Sequence, residues 1–256
     1  MTFKTTLLAC ALAVSGAAFA QTSAPEPDYS LSYNIGAVTD YRYRGIAQSA
    51  KKPAIQGGVD FAHKSGLYLG AWGSSITWLK DTTAAPNTTK GPLEVDIYGG
   101  YKGAINDSVS FDVGGLQYWY VSNNLKNTAG LVNPNTFELY GALSFGPFTA
   151  KYSNSTTNLF GTANSKNSGY FDLSASFDLG GGWSVVPHIG NQTIKNFTSY
   201  TDYSVTVAKD MDGLIFTAAV VGTNWKSKQG AAFTLPGSGT KDLANTGLVL
   251  GIKKNF

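Results

Sequence analysis

The stretch LSYNIGAVTDYRYR, residues 31–44, decides the fold. Its odd positions, Leu31, Tyr33, Ile35, Ala37, Thr39, Tyr41 and Tyr43, are mostly apolar or aromatic. Its even positions, Ser32, Asn34, Gly36, Val38, Asp40, Arg42 and Arg44, are mostly polar or small. Successive side chains on a strand point to opposite faces, so a period of two reads as a β-strand with one apolar face. The run exceeds the usual soluble strand of about 5 or 6 residues.

The pattern recurs along the chain. Residues 53–63 set Ile55, Val59 and Phe61 against Gln56 and Asp60, and residues 93–103 set Leu93, Val95, Ile97 and Tyr101 against Glu94, Asp96 and Lys102. Phe137, Leu139, Leu143 and Phe145 oppose Glu138 and Ser144, while Phe171, Leu173 and Phe177 oppose Asp172, Ser174 and Asp178. Residues 67–79 are apolar at both parities, and Val109, Phe111 and Val113 change parity to Leu116, Tyr118 and Tyr120 across Gly114-Gly115, which predicts a bulge. Segments at 148–154, 183–192, 203–209, 214–224 and 245–256 bring the count to twelve, or to ten or fourteen if the weaker ones merge or split.

Connection lengths alternate. Short turns (Lys64-Ser65, Asn106-Asp107, Gly146-Pro147, Gly180 to Gly182, Asp210 to Gly213) take turns with generally longer polar loops such as Lys80 to Pro92, Ser122 to Pro134 and Lys226 to Ala244. This alternation predicts an all-β, closed antiparallel transmembrane β-barrel of about 12 strands over residues 29–256, with short periplasmic turns and long extracellular loops. Closure matters because hydrocarbon tolerates no unpaired strand edge. The chain stops at Phe256 in the parity of Leu248, Leu250 and Ile252, making that residue a C-terminal contact at the membrane edge, with Lys254 reaching toward the headgroups. Tyr41, Tyr43, Trp78, Trp119, Tyr120 and Trp183, near segment ends, suit the aromatic girdles of such a barrel.

The beginning of the chain has a different character. Lys4, the apolar run from Leu7 to Val14 and Ala18-Phe19-Ala20 form a removable secretory signal over residues 1–20. Cys10 lies inside the apolar run and not just after it, which disfavours acylation, and residues 21–256 contain no cysteine for a disulfide. Residues 21–28, with two prolines, read as a flexible periplasmic leader.

Composition agrees. Among 256 residues there are 30 Gly, 14 Tyr, 14 Phe and 5 Trp, with only 14% charged, too aromatic for a disordered chain. The net charge of +3 is spread thinly, without the basic cluster of a nucleic-acid binder.

Several of these segments carry a resemblance. LSYNIG at 31–36, TDYRYRGI at 39–46, PAIQGG at 53–58, LEVDIYGGY at 93–101, TFELYG at 136–141 and GYFDLS at 169–174 resemble the TorF family of porins, over essentially the mature chain. That resemblance implies an outer-membrane barrel in a Gram-negative bacterium and a porin function. It brings no catalytic or ligand-binding residue.

The residues themselves offer little catalytic chemistry. No Gly-Gly pair sits in a strand–turn–helix unit of the nucleotide-binding kind. His63 and His188 are the only histidines; His188 shares a parity with Ser184, but four residues along a strand is about 13 Å, beyond hydrogen-bond reach. No structural metal site is expected, and Asp202 or Asp242, read as loop residues, lack a spaced calcium motif. No enzyme activity and no cofactor are expected.

What remains is the charge on the face opposite the apolar one: Arg42, Arg44, Glu94, Asp96, Glu138 and Asp172 as lumen residues setting selectivity, with Asp60, Lys102, Asp112, Lys151 and Asp178 as further lumen-facing charges. A basic residue facing lipid near the midplane would cost about 2–4 kcal/mol, so these charges must face inward. Two functions fit: a porin passing small hydrophilic solutes or ions, or a plugged, narrow barrel acting as a structural or adhesive surface through its loops. A lumen or loop hydrolase with a serine from a neighbouring strand is a minor third. The expected partners are outer-membrane lipid and lipopolysaccharide, the insertion machinery and small solutes or ions, with the oligomeric state left open. In the channel reading, Arg42 and Arg44 on strand one face Glu94, Asp96, Glu138 and Asp172 across the mouth and set up a transverse field.

Overall fold

The computed structural model describes residues 27–81, 89–225 and 242–256. The segment expected to be a signal sequence, most of the expected leader and parts of two long loops lie outside the described residues.

Twelve antiparallel strands close into a ring: β1 (Tyr29–Val38), β2 (Ala54–His63), β3 (Leu67–Ser75), β4 (Leu93–Ala104), β5 (Val109–Val121), β6 (Thr136–Phe145), β7 (Phe148–Ser155), β8 (Gly169–Ala175, resumed at Phe177–Gly180), β9 (Trp183–Thr193), β10 (Tyr200–Met211), β11 (Leu214–Thr223) and β12 (Gly247–Asn255). Each pairs with its sequence neighbours, and β12 returns to β1 from Asn34↔Asn255 to Val38↔Gly251. Beyond the strands, the backbone of Phe256 exchanges two hydrogen bonds with Tyr33. Closure removes every sheet edge, so the strands can sit in hydrocarbon with their amides and carbonyls paired.

The period of two becomes a sorting of side chains. Leu31, Ile35, Leu69, Ile97, Val113, Leu139, Phe171, Ile189, Val205, Val220 and Leu250 stand on the outside with much of their surface uncovered, as a lipid-facing wall requires. Among the described residues, the outward positions of the strands carry His63, Lys209 and Lys254 as their titratable basic groups, all beside short turns. Lys209 Nζ donates to the carbonyl of Gly181 (2.5 Å) and Lys254 Nζ to that of Asp212 (2.7 Å), so both ammonium groups bend to the rim.

Four expectations need correction. Strand one ends at Val38, and residues 39–53 turn into the barrel in place of continuing to Arg44. The bulge at Gly114-Gly115 is absent: β4, β5 and β6 keep continuous register, with Gly99↔Gly115 and Gly114↔Tyr140. The parity therefore never changes, and Leu116, Tyr118 and Tyr120 face inward. Irregularity falls instead at Ser176, between the two parts of β8, and between Asp178 and Gly180. Finally, Asp202 lies on β10 and not in a loop.

Candidate functional site

The segment between β1 and β2 builds the site. Arg42–Tyr43 pairs with Ile46–Ala47 as a small hairpin whose tip is Arg44-Gly45. Both tip residues have positive φ (45° and 79°), as a two-residue turn of the primed type requires. Gly45 is also pressed against β10 and β11, where an added Cβ would collide with Thr223 and crowd Asp202. A side chain at that position is excluded twice, by φ and by space.

Arg44 at the tip reaches the opposite wall. Its Nη2 donates to Glu138 Oε2 on β6 at 2.8 Å, and its Nη1 donates to Glu138 Oε1 (3.1 Å) and to Gln192 Oε1 on β9 (2.5 Å). The guanidinium lies 4.0 Å from the ring centre of Tyr170 on β8 and 4.9 Å from that of Tyr43. Burial works against its charge, but the Glu138 carboxylate outweighs this and holds the Arg44 pKa above its ordinary value. A forked guanidinium–carboxylate pair with two aromatic rings against it specifies geometry as well as attraction.

Around this tip the outer half of the lumen is packed like a core. Tyr41 donates to Glu94 Oε1 (3.0 Å) and meets Trp72 edge-on. Burial, and then the carboxylates of Glu94 and Asp96, push its phenol well above the ordinary value, so it stays a donor. The hydroxyls of Tyr43 and Tyr118 are 2.6 Å apart, and Phe160 packs on Tyr43, Tyr118 and Tyr120. One apolar cluster joins Tyr41, Ala54, Ile76, Leu79, Tyr118, Tyr120 and Leu125. A second joins Ile46, Ala47, Ala50, Leu159, Ile194, Tyr200, Trp225, Leu243 and Ala244.

The half nearer the short turns has a different lining. Tyr98 donates to Asp60 (2.5 Å) and Tyr68 to Asp112 (2.6 Å), while the hydroxyls of Tyr68 and Tyr140 meet. Lys151 Nζ lies 4.0 Å from the Tyr140 ring centre and Lys102 Nζ 5.7 Å from that of Tyr68. Across the lumen's other wall, His188 Nε2 is 2.6 Å from Asp172 Oδ2, and Nδ1 faces Asp202 Oδ1 at 3.7 Å. Tyr170 donates to both oxygens of Asp202 at 3.1 Å, and Gly190 on β9 leaves room for its ring.

The expected site residues are thus brought together only in part. Glu94, Asp96 and Glu138 are buried inside the barrel near its outer end. Arg42 and Arg44 are not on a strand wall. Arg42 pairs with Asp40 (2.5 Å) and donates to the carbonyls of Gly45, Leu243 and Asn245, which ties the hairpin base to the last loop. The charges do not face one another across open water as a transverse field requires, because Arg44 touches Glu138 directly. Asp172 belongs to the His188 group, Asp178 caps the turn at Gly180 (2.8 Å), and Phe256 is exposed at the rim.

Of the aromatic girdle residues, Trp119 and Trp183 do point outward, but Tyr41 and Tyr120 are buried in the lumen and Tyr43 and Trp78 pack against it. The Ser184–His188 pair does not form. Ser174 and Ser204 are the register partners of His188, and among the described residues no serine hydrogen-bonds to it. Sequence reading missed Trp72, Tyr98, Tyr118, Tyr170 and Gln192 as lumen residues. Their inward parity was the available signal, masked by the expectation that a lumen is polar.

Residues 21–256 match the family described as "Bacterial protein of unknown function (Gcw_chp)", and the chain belongs to that family. No curated protein matches it. Among solved structures, it is similar to a NanC porin at 10% identity and TM-score 0.54, covering 89% of this chain and 99% of that one. It is similar also to a KdgM porin in complex with disordered oligogalacturonate, at 8% identity and TM-score 0.52, covering 88% and 98%. At such identities the likeness is one of fold, a porin-type barrel.

Proposed function

We propose that this member of the Gcw_chp family is an outer-membrane channel for small hydrophilic solutes or ions, narrowed by residues 39–53. The observation that carries this reading is the sorting of charge. A closed ring keeps a lipid-facing wall almost free of charged groups and gathers Asp60, Lys102, Asp112, Lys151, Asp172 and Asp202 on its inner surface. The resemblance to TorF porins names a finer relationship in the same direction. In this reading the secretory signal of residues 1–20 is removed on export and the barrel is inserted by the outer-membrane machinery.

The solute class differs from that of the similar KdgM porin, which was solved with an oligogalacturonate. Carboxylates at Asp60, Glu94, Asp96, Asp112, Glu138, Asp172 and Asp202 outnumber the basic groups of Arg44, Lys102, Lys151, His188 and Lys253 inside the barrel, so this lumen favours cations over acidic sugars.

A second reading is a plugged barrel. Its supporting observation is the packing of residues 39–53 into two apolar clusters at the mouth. Planar bilayers separate the two. A channel gives discrete ohmic steps in KCl that are absent with buffer and detergent alone; repeated insertion of folded protein without current decides for the plug.

A further inference from the structure

We infer that Glu94 and Asp96 form a binding site for a small protonated amine. The proposal deepens the channel reading and rests on it for the solute's route, but not for the binding itself.

The first ground is charge pairing. Glu138 has Arg44, Asp40 has Arg42, Asp172 has His188, and Asp60 and Asp112 each accept a tyrosine hydroxyl. Glu94 and Asp96 have no basic partner among the described residues. Glu94 is 1% exposed, and its Oε2 meets no donor; Asp96 is 9% exposed, and its Oδ1 meets none. A buried carboxylate left without compensation is costly, and two neighbouring ones more so. The pair occupies consecutive inward positions of β4, about 7 Å apart along the strand.

The second ground is the kind of wall around the pair. Asp96 stands between its register partners Trp72 on β3 and Tyr118 on β5, and Glu94 between Ser74 and Tyr120. Tyr41 covers Glu94 from the in-folded segment, with its ring 5.5 Å from that of Trp72. Two carboxyl groups walled by aromatic rings offer a cation oxygen acceptors and ring faces together.

The third ground is the donor set. A hard metal ion takes six or more oxygens. Among the described residues, no group of three or more His, Cys, Asp or Glu is arranged to hold one. An ammonium group needs less: its N–H bonds match the carboxylate oxygens that lack donors, and its carbon substituent suits the rings. Asp96 is the less buried member of the pair, and Tyr98 holds the next inward position of β4 toward the short turns.

The test is calorimetric titration of the folded full barrel in detergent micelles at fixed ionic strength, with methylammonium chloride as the probe. Tetramethylammonium, sodium and calcium chlorides are run beside it. Methylammonium should bind more tightly than each of these, since tetramethylammonium lacks N–H donors. Asp96→Asn and Glu94→Gln should each weaken binding at least about tenfold, the scale of a hydrogen bond to a charged group. Asp107→Asn, in an exposed turn, should leave it unchanged. Both amide variants remove buried charge and should keep heat-modifiable migration; if one fails to fold, Trp72→Phe must weaken binding in its place.

No measurable heat, equal binding by Asp96→Asn, or calcium or sodium binding as tightly would each overturn the site. Binding without conductance would remove the channel and keep the site. Conductance without binding would do the reverse.

Discussion

Arg44 and Glu138, 94 residues apart in sequence, meet in a forked ion pair inside the barrel, with Nη2–Oε2 at 2.8 Å and side chains 6% and 3% exposed. One partner sits at the tip of a hairpin folded in from the β1–β2 connection, the other on β6. Their contact fixes how far residues 39–53 extend across the lumen, and Gln192 and Tyr170 hold the same guanidinium from two further strands.

Removing one member should therefore be worse than removing both. Arg44→Ala leaves Glu138 buried without its counter-charge and is expected to cost about 3–5 kcal/mol. Arg44→Met with Glu138→Leu should cost less, because no uncompensated charge remains. Urea unfolding of the inserted barrel measures the difference. If the hairpin is the constriction, Arg44→Ala also raises single-channel conductance; an unchanged conductance places the narrowest point elsewhere.

Reversal potentials in a salt gradient should follow the unpaired charges. Glu94→Gln with Asp96→Asn should move selectivity toward anions. Arg42→Gln should change it little, since Arg42 is matched by Asp40 and lies among loop carbonyls. A larger shift from Arg42→Gln than from the carboxylate pair would reverse the assignment of the filter.

The outer wall can be tested by a single charge. Leu139 stands outward on β6 with half its surface uncovered. Leu139→Arg should destabilise insertion by about 2–4 kcal/mol if that surface meets the bilayer midplane. The same substitution would be almost free on a water-facing strand, so equal folding yields into lipid vesicles would count against the orientation of the wall.

Localisation follows from the same surface. The protein should fractionate with outer membranes, migrate differently on gels with and without boiling, and give a β-rich circular-dichroism spectrum in detergent. Recovery as a soluble periplasmic monomer without detergent would exclude the barrel's membrane setting.

Sequence alone determined the wall. The alternation of Leu31, Tyr33 and Ile35 with Ser32, Asn34 and Gly36, repeated over twelve segments and joined by alternately short and long connections, requires a closed amphipathic barrel, because period and closure are local properties of strands in lipid. It placed Asp60, Glu94, Asp96, Asp112 and Glu138 on the inner face for the same reason. Only the tertiary structure decided what fills that wall. Residues 39–44 continue the alternation of strand one, and nothing local distinguishes Tyr41 beside lipid from Tyr41 against Glu94. Tyr118 and Tyr120 looked out of register for a polar lumen, until the hairpin supplied apolar partners from some 75 residues away. Pairing of Arg44 with Glu138 depends on two segments meeting across the ring, and such long-range contact is set by packing and charge compensation in three dimensions, which strand periodicity does not encode.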